Sequence, residues 1–280
     1  VTQQPVVGIL HPGSMGAAVA ACAAANAATV LWCAAGRSAA SAARAERHGL
    51  RPVATLAELL HRSDIVLGLC PPAAAEDMAR DVAAHGFTGV YVEANAIDAR
   101  RTRRIADLLG TTATVVDGGV IGAPPLNGET SLLYLSGPQD EARRVAGLFA
   151  GTAVEATVLG SEIGRASALK LSYAAFQKVS RVLVALSYGL AREHGVEREL
   201  RTVAARRTDS YLCETEYVAK AAARAWRWGP EMEEIADMLA EAGLPPDMLR
   251  AAAATLARWN EAKDDSGLTL SDALDRLAGS

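Results

Sequence analysis

Short apolar runs alternate with longer amphipathic stretches through the first half of the chain. The runs predict strands at 5–10, 29–33, 64–69, 88–93, 113–117 and 131–136. The stretches between them predict helices over 14–26, 38–48, 55–62, 73–85, 98–109 and 139–149. Thr55 and Asp98 stand where helix caps belong. Apolar strands separated by helices imply a parallel sheet covered on both faces. The second half offers no strand. It predicts helices over 161–194, 197–227, 231–242, 247–262 and 270–278, with breaks at Gly229-Pro230 and at Gly243 to Pro246. The expected architecture is an α/β domain with a doubly wound, mostly parallel sheet, followed by an all-α helical domain. The expected division is 1–160 and 161–280, near Gly160.

In an open parallel sheet, ligands bind beyond the carboxyl ends of the strands. The first strand runs through Val6, Val7, Gly8, Ile9 and Leu10 into His11-Pro12-Gly13-Ser14-Met15-Gly16 and an alanine-rich helix. Such a turn lets the backbone approach a pyrophosphate while the new helix offers free N–H groups and its positive dipole end. Gly13 and Gly16 fit the second and third places of a G-x-G-x-x-G fingerprint, and His11 occupies the first.

The end of the second strand reads Cys33-Ala34-Ala35-Gly36-Arg37-Ser38. It has no acid to hold a ribose 2′-hydroxyl. Arg37 and Ser38 suit a 2′-phosphate dianion, with Ser41 and Arg44 on the next helix. This reading selects NADP(H); the alternative leaves Arg37 as a solvated loop arginine. Cys70-Pro71-Pro72 follows the strand at 64–69, and Asn95 follows the one at 88–93, so both segments are expected to face the cofactor.

Composition narrows the partners. A net charge of -4 gives no basis for binding nucleic acid or an anionic membrane. The four cysteines show no CxxC spacing and the five histidines no metal-ligand spacing, so no metal is expected. Residues 17–35 are nearly uncharged, but they contain Asn26 and Thr29 and change from helix-like to strand-like midway. A cytoplasmic soluble protein without a signal peptide is therefore expected.

Three segments together resemble the β-hydroxyacid dehydrogenase superfamily, which includes 3-hydroxyisobutyrate dehydrogenases, 6-phosphogluconate dehydrogenases and imine reductases. They are Gly8 to Gly16, Asp117-Gly118-Gly119-Val120-Ile121-Gly122-Ala123-Pro124-Pro125, and Gly164-Arg165-Ala166-Ser167-Ala168-Leu169-Lys170. The stretch Lys220 to Glu234 looks like a subgroup with a 6-phosphogluconate-dehydrogenase-like C-terminal domain. The resemblance implies an α/β Rossmann domain joined to a helical domain, a homodimer packed through the helical domain, an active site in the interdomain cleft, and hydride transfer between nicotinamide and a small carbonyl, alcohol or imine carbon. It implies that Lys170 is the acid/base and that the glycine-rich loop, Gly119, Val120, Ile121 and Gly122, binds substrate. Three departures put the usual substrates in question. His11 replaces a glycine, Ile121 falls where a serine is common, and Ala174 replaces an asparagine four residues after the lysine, with Tyr173 one place earlier.

Lys170 also draws notice on its own, as one of only four lysines. Lys170, Tyr173 and Gln177 form a polar stripe on one face of a helix otherwise rich in Ala, Leu and Val. The stripe either faces water or lines a cleft. In a cleft, Lys170 would stabilise charge developing on a carbonyl oxygen and give up a proton, with Tyr173 as a second donor. Lys220, Arg224 and Arg227 form a second basic face, either solvated or reaching an acidic substrate; Trp226 and Trp228 suit packing. The expected activity is an NADPH-dependent oxidoreductase of a small carbonyl or hydroxy acid. The alternatives are an imine reductase acting on C=N, and a scaffold or sensor that binds NADP(H) without turnover.

Overall fold

The computed structural model describes residues 3–174, 176, 191, 194–204, 206, 217–241 and 243–278. Eight strands are present: β1 Val6–Ile9, β2 Thr29–Cys33, β3 Arg51–Val53, β4 Ile65–Gly68, β5 Val90–Glu93, β6 Thr114–Gly122, β7 Ser131–Ser136 and β8 Val154–Val158. They form one sheet in the order β3-β2-β1-β4-β5-β6-β7-β8. Every neighbouring pair is parallel except β6 with β7. The strand order reverses between β1 and β4, so the crevice for a ligand opens at their carboxyl ends.

The helices among these strands are α1 Ser14–Ala23, α2 Ala39–Arg47, α3 Leu56–Arg62, α4 Ala75–Ala84, α5 Ala99–Leu109 and α6 Gln139–Gly147. Thr55 caps α3 through Glu58 N, and Asp98 caps α5 through the amides of Arg100 and Arg101. The strands are apolar because both faces are covered. Val7, Ile9, Ile65, Leu67, Val90 and Val92 enter one core, while Leu31, Val66 and Tyr91 enter the other. This is the two-residue alternation of a strand with two buried sides. Each large apolar chain so buried contributes roughly 1.5–3 kcal/mol.

Chain contacts divide the protein into Val1–Ala175 and Phe176–Ser280. The sequence suggests a division near Gly160. The difference is α7, which begins at residue 165 and is described to 174. It stays with the sheet because a carboxylate of β6 holds its first turn. The rest of the helix expected over 161–194 lies outside the described residues, apart from 176, 191 and 194.

The second unit contains α8 Glu197–Ala204, α9 Tyr217–Glu241, α10 Asp247–Ala257 and α11 Leu270–Ala278. Gly229-Pro230 does not end a helix, as the sequence suggests; α9 runs through it. A helix-interior proline costs a backbone hydrogen bond, and packing against α10 offsets that cost. A Cβ at Gly229 would lie 3.9 Å from the Ala253 carbonyl, an ordinary contact distance between the two helices. No described helix is long and apolar enough to cross a membrane.

Candidate functional site

The turn after β1 is tight. Gly13 N donates to the His11 carbonyl at 2.8 Å, and a Cβ on Gly16 would overlap that same oxygen. Only glycine fits at 16. Pro12 is buried, Gly13 and Met15 are half-buried, and Ser14 is exposed at the start of α1. No side chain caps α1, so its first amides point outward with the dipole.

The end of β2 folds onto this turn. Arg37 Nη2 donates to the Leu10 carbonyl at 2.9 Å, and Arg44 Nη1 donates to the Pro12 carbonyl at 2.9 Å. Arg37 Nε is buried without a hydrogen-bond partner. Among the described ion pairs, no carboxylate pairs with either arginine. Ser38 is occupied locally. It caps α2 by accepting from Ser41 N and donates to Ser41 Oγ at 3.2 Å.

The turns after β4 and β5 are tied together by Asn95. Its Oδ1 accepts from Cys70 N at 2.5 Å. Its Nδ2 and its backbone N donate to Glu93 Oε1 at 2.6 and 3.0 Å. Glu93 is wholly buried, with the Tyr91 hydroxyl 3.5 Å from its other oxygen. Burial pushes the Glu93 carboxyl up to about 7, with nearby Asp117 adding to the rise and the bonds from Asn95 opposing it. Burial, then Glu93, pushes the Cys70 thiol up to about 11. Pro71 and Pro72 are exposed, and the Pro72 carbonyl accepts from Arg101. The twelve residues expected at the cofactor from His11 to Asn95 thus gather along the carboxyl edge of β1, β2, β4 and β5.

The segment expected as a glycine-rich loop is instead the second half of β6, paired with β7 from Asp117 to Gly122. Pairing with β7 extends the strand through two glycines that read as a turn. Val120 is in the core and Ile121 is buried. β5 stops at Glu93, opposite Asp117, while β6 continues. The edge of 118–122 turned away from β7 therefore has no strand beside it among the described residues. Asp117, Gly119 and Ile121 share one face by the strand period.

That face carries α7. Asp117 Oδ2 accepts from the amides of Gly164, Ala166 and Ser167 at 2.9, 2.9 and 3.1 Å and from Ser136 Oγ at 2.9 Å; Oδ1 accepts from Ser167 Oγ at 2.5 Å. A Cβ on Gly119 would stand 2.7 Å from the Ala166 carbonyl and 3.1 Å from Lys170 Cβ. Lys170 and Tyr173 are both half-buried. Gln177 lies outside the described residues.

Glu93 and Asp117 are structural carboxylates that the sequence motifs do not single out. The available signal was an acid closing an apolar strand, twice, at positions that pair in register. In the second unit, Lys220 and Arg224 line a cavity of about 420 Å³ with Asp264, Asp265 and Ser266. Trp226 donates to Asp264 at 3.2 Å and lies under Lys263 Nζ, 4.2 Å from the ring centre.

Residues 191–259 match the family model described as a domain of unknown function, DUF1932. No curated protein matches the chain. Solved structures do. An imine reductase from Myxococcus stipitatus in complex with NADP+ superposes with a TM-score of 0.76 at 16% identity, covering 98% of this chain and 100% of that one. A reductive aminase from Aspergillus terreus in complex with NADPH and ethyl levulinate gives 0.74 at 19%, covering 98% and 99%. A conserved protein of unknown function, described as structurally similar to 3-hydroxyacid dehydrogenases, gives 0.59 at 22%, covering 92% and 98%. The chain therefore has the fold shared by 3-hydroxyacid dehydrogenases and imine reductases, the superfamily that its motifs resemble.

Proposed function

We propose that this protein is an NADP(H)-dependent oxidoreductase that transfers hydride to or from a small carbonyl or hydroxy compound, with Lys170 as acid/base. The observation that carries the reading is the cationic strand edge. Arg37 and Arg44 bracket the turn after β1, and the end of β2 has no acid to hold a ribose hydroxyl. The residues present fit the cofactor. The uncapped amides of α1 suit its pyrophosphate, and the buried Arg37 Nε lacks a partner that a 2′-phosphate would supply. Cys70, Pro71, Pro72 and Asn95 lie further along the same edge, toward β6. The solved relatives in complex with NADPH and NADP+ support the same choice.

The bound nicotinamide would supply or accept the hydride. The Lys170 ammonium stabilises negative charge on the substrate oxygen and passes it a proton; Tyr173, three residues on and on the same helical face, donates a second hydrogen bond. Gly119 gives the lysine stem room beside β6. The free edge of 118–122 offers backbone groups to the substrate, while the buried Val120 and Ile121 side chains shape the wall behind it. The proposal includes a homodimer packed through the helical unit.

A C=N substrate is the second reading. The imine reductase and the reductive aminase among the similar structures favour it, as does Ala174 in place of an asparagine. Binding titrations should show NADPH binding more tightly than NADH, a preference that Arg37→Ala reduces. Lys170→Met should keep NADPH affinity and lose activity by about 10²–10⁴-fold. Equal affinity for both cofactors overturns the role of Arg37, and a fully active Lys170→Met overturns that of the lysine. Hydroxy acids, keto acids and cyclic imines assayed side by side separate C=O from C=N. No turnover with any of them favours the scaffold.

A further inference from the structure

His11 stands where a dinucleotide fingerprint has glycine, so a side chain projects where related turns have none. Its ring lies over Gly13. The site of a Gly13 Cβ is 3.2 Å from His11 Nδ1 and 3.4 Å from Cε1. The imidazole therefore stands against the Gly13 backbone, within the turn that would receive a phosphate. Arg37 and Arg44 hold the carbonyls of Leu10 and Pro12, on either side of His11 in the chain. The uncapped start of α1 adds its own positive end. Two guanidinium groups, an imidazole and a helix N-terminus converge with no described carboxylate paired to either arginine.

Such a cluster disfavours the charged imidazole until an anion arrives. Burial, then Arg37, and more weakly Arg44, hold the His11 pKa below its usual value, opposed by a bond to its own backbone. The turn after β4 adds the neighbouring Cys70 thiol, neutral below about 11. Behind Cys70 stands Glu93, whose charge reaches that thiol. A bound phosphate reverses the balance: it screens the arginines and favours an imidazolium beside it.

We propose that His11 is a proton-linked phosphate ligand: the neutral imidazole takes up one proton from solvent as a dinucleotide phosphate docks beside it, Arg37 and Arg44, so that cofactor affinity rises as pH falls. This rests on the NADP(H) reading above. The free pKa lies below the bound one. The extra affinity is therefore complete below the free value and is lost as pH rises through the bound value.

The test is calorimetric titration of the full chain with NADPH, adenosine 2′,5′-bisphosphate and ADP-ribose. It compares wild type, His11→Gly and His11→Asn between about pH 5.5 and 8.5. A phosphate monoester itself titrates near about 6, and Glu93 titrates in the same range. The readout is therefore the difference between wild type and variant, in which those contributions cancel. Across that range, wild type is expected to gain about tenfold more affinity than either variant. Its binding enthalpy should also vary with the buffer's ionisation heat, as proton uptake requires. An effect with the bisphosphate alone assigns the 2′-phosphate, since its 5′-phosphate has a counterpart in ADP-ribose; an effect with ADP-ribose assigns the pyrophosphate. Parallel profiles for wild type and both variants overturn the role of His11 and leave the cofactor reading intact. Failure of wild type to bind NADPH at any pH overturns the cofactor reading itself.

Discussion

Asp117 on β6 holds Ser167 on α7 twice, accepting its hydroxyl at 2.5 Å and its amide at 3.1 Å. The same carboxylate takes the amides of Gly164 and Ala166. It thus caps α7 from the sheet, where a local N-cap side chain would ordinarily serve. Ser167 also meets Thr102 Oγ1 of α5 at 2.9 Å, which fixes the helix from a second side. Lys170 follows Ser167 by three residues, almost one turn, so its placement depends on this anchor.

Asp117→Asn should therefore cost both stability and activity. The replacement sets an amide N–H₂ against donors that need an acceptor. About 2–4 kcal/mol should be lost in urea unfolding, and turnover should fall more than NADPH affinity. Ser167→Ala removes both bonds of the hydroxyl, to Asp117 and to Thr102, and should cost about 1–3 kcal/mol. If Asp117→Asn unfolds with wild-type stability, the carboxylate does not anchor the helix.

Gly119→Ala tests the closeness of β6 and α7. The added methyl would meet the Ala166 carbonyl, which is backbone and cannot swing aside, and the stem of Lys170. The helix must shift. A stability loss of about 1–3 kcal/mol is expected. Catalytic rate should fall while NADPH affinity, set at the far strand ends, changes less than about twofold. Parallel losses of rate and cofactor affinity would place the damage elsewhere.

Gly16→Ala makes the complementary perturbation at the turn. Its Cβ would strike the His11 carbonyl, so the turn and the first amides of α1 must move. NADPH affinity should fall about tenfold or more, with α7 and its chemistry untouched. Unchanged affinity in a titration would count against the turn as the phosphate site.

The strands that sequence pattern misses are β3 and β8, and both are edges of the sheet. β3 has two exposed residues out of three, and β8 alternates exposed positions with buried or half-buried ones. An edge strand has a neighbour on one side only, so it needs fewer apolar residues. The central strands, buried on both faces, are legible for the opposite reason. In the site, the turn at 11–16 and Arg37 are readable because phosphate chemistry imposes local spacing. Asp117 is not, since its α7 partners lie 47 to 50 residues away and only folding brings them together. Gly118 and Gly119 read as a loop because glycine usually marks one. Here Gly119 is small because a helix lies on it.

Glu93 makes stability depend on pH. It is buried, hydrogen-bonded to Asn95 and Tyr91, and near Asp117, with no cation among its described partners. Folding therefore favours its protonated form. Its carboxyl titrates at about 7 in the folded protein against 4.5 as the ordinary value. The stabilisation from the protonated group is complete below the unfolded value and is lost as pH rises through about 7. Between about pH 5 and about pH 8.5 the loss amounts to roughly 2–3 kcal/mol. Glu93→Gln keeps an acceptor for Asn95 and cannot ionise, so its stability should lack this component. Urea unfolding of both proteins at about pH 5 and about pH 8.5 measures it. The variant should gain on wild type by that amount at the higher pH. A gap that stays constant across the range would mean that Glu93 is already ionised in the folded protein at the lower pH, and that the Asn95 bonds outweigh its burial.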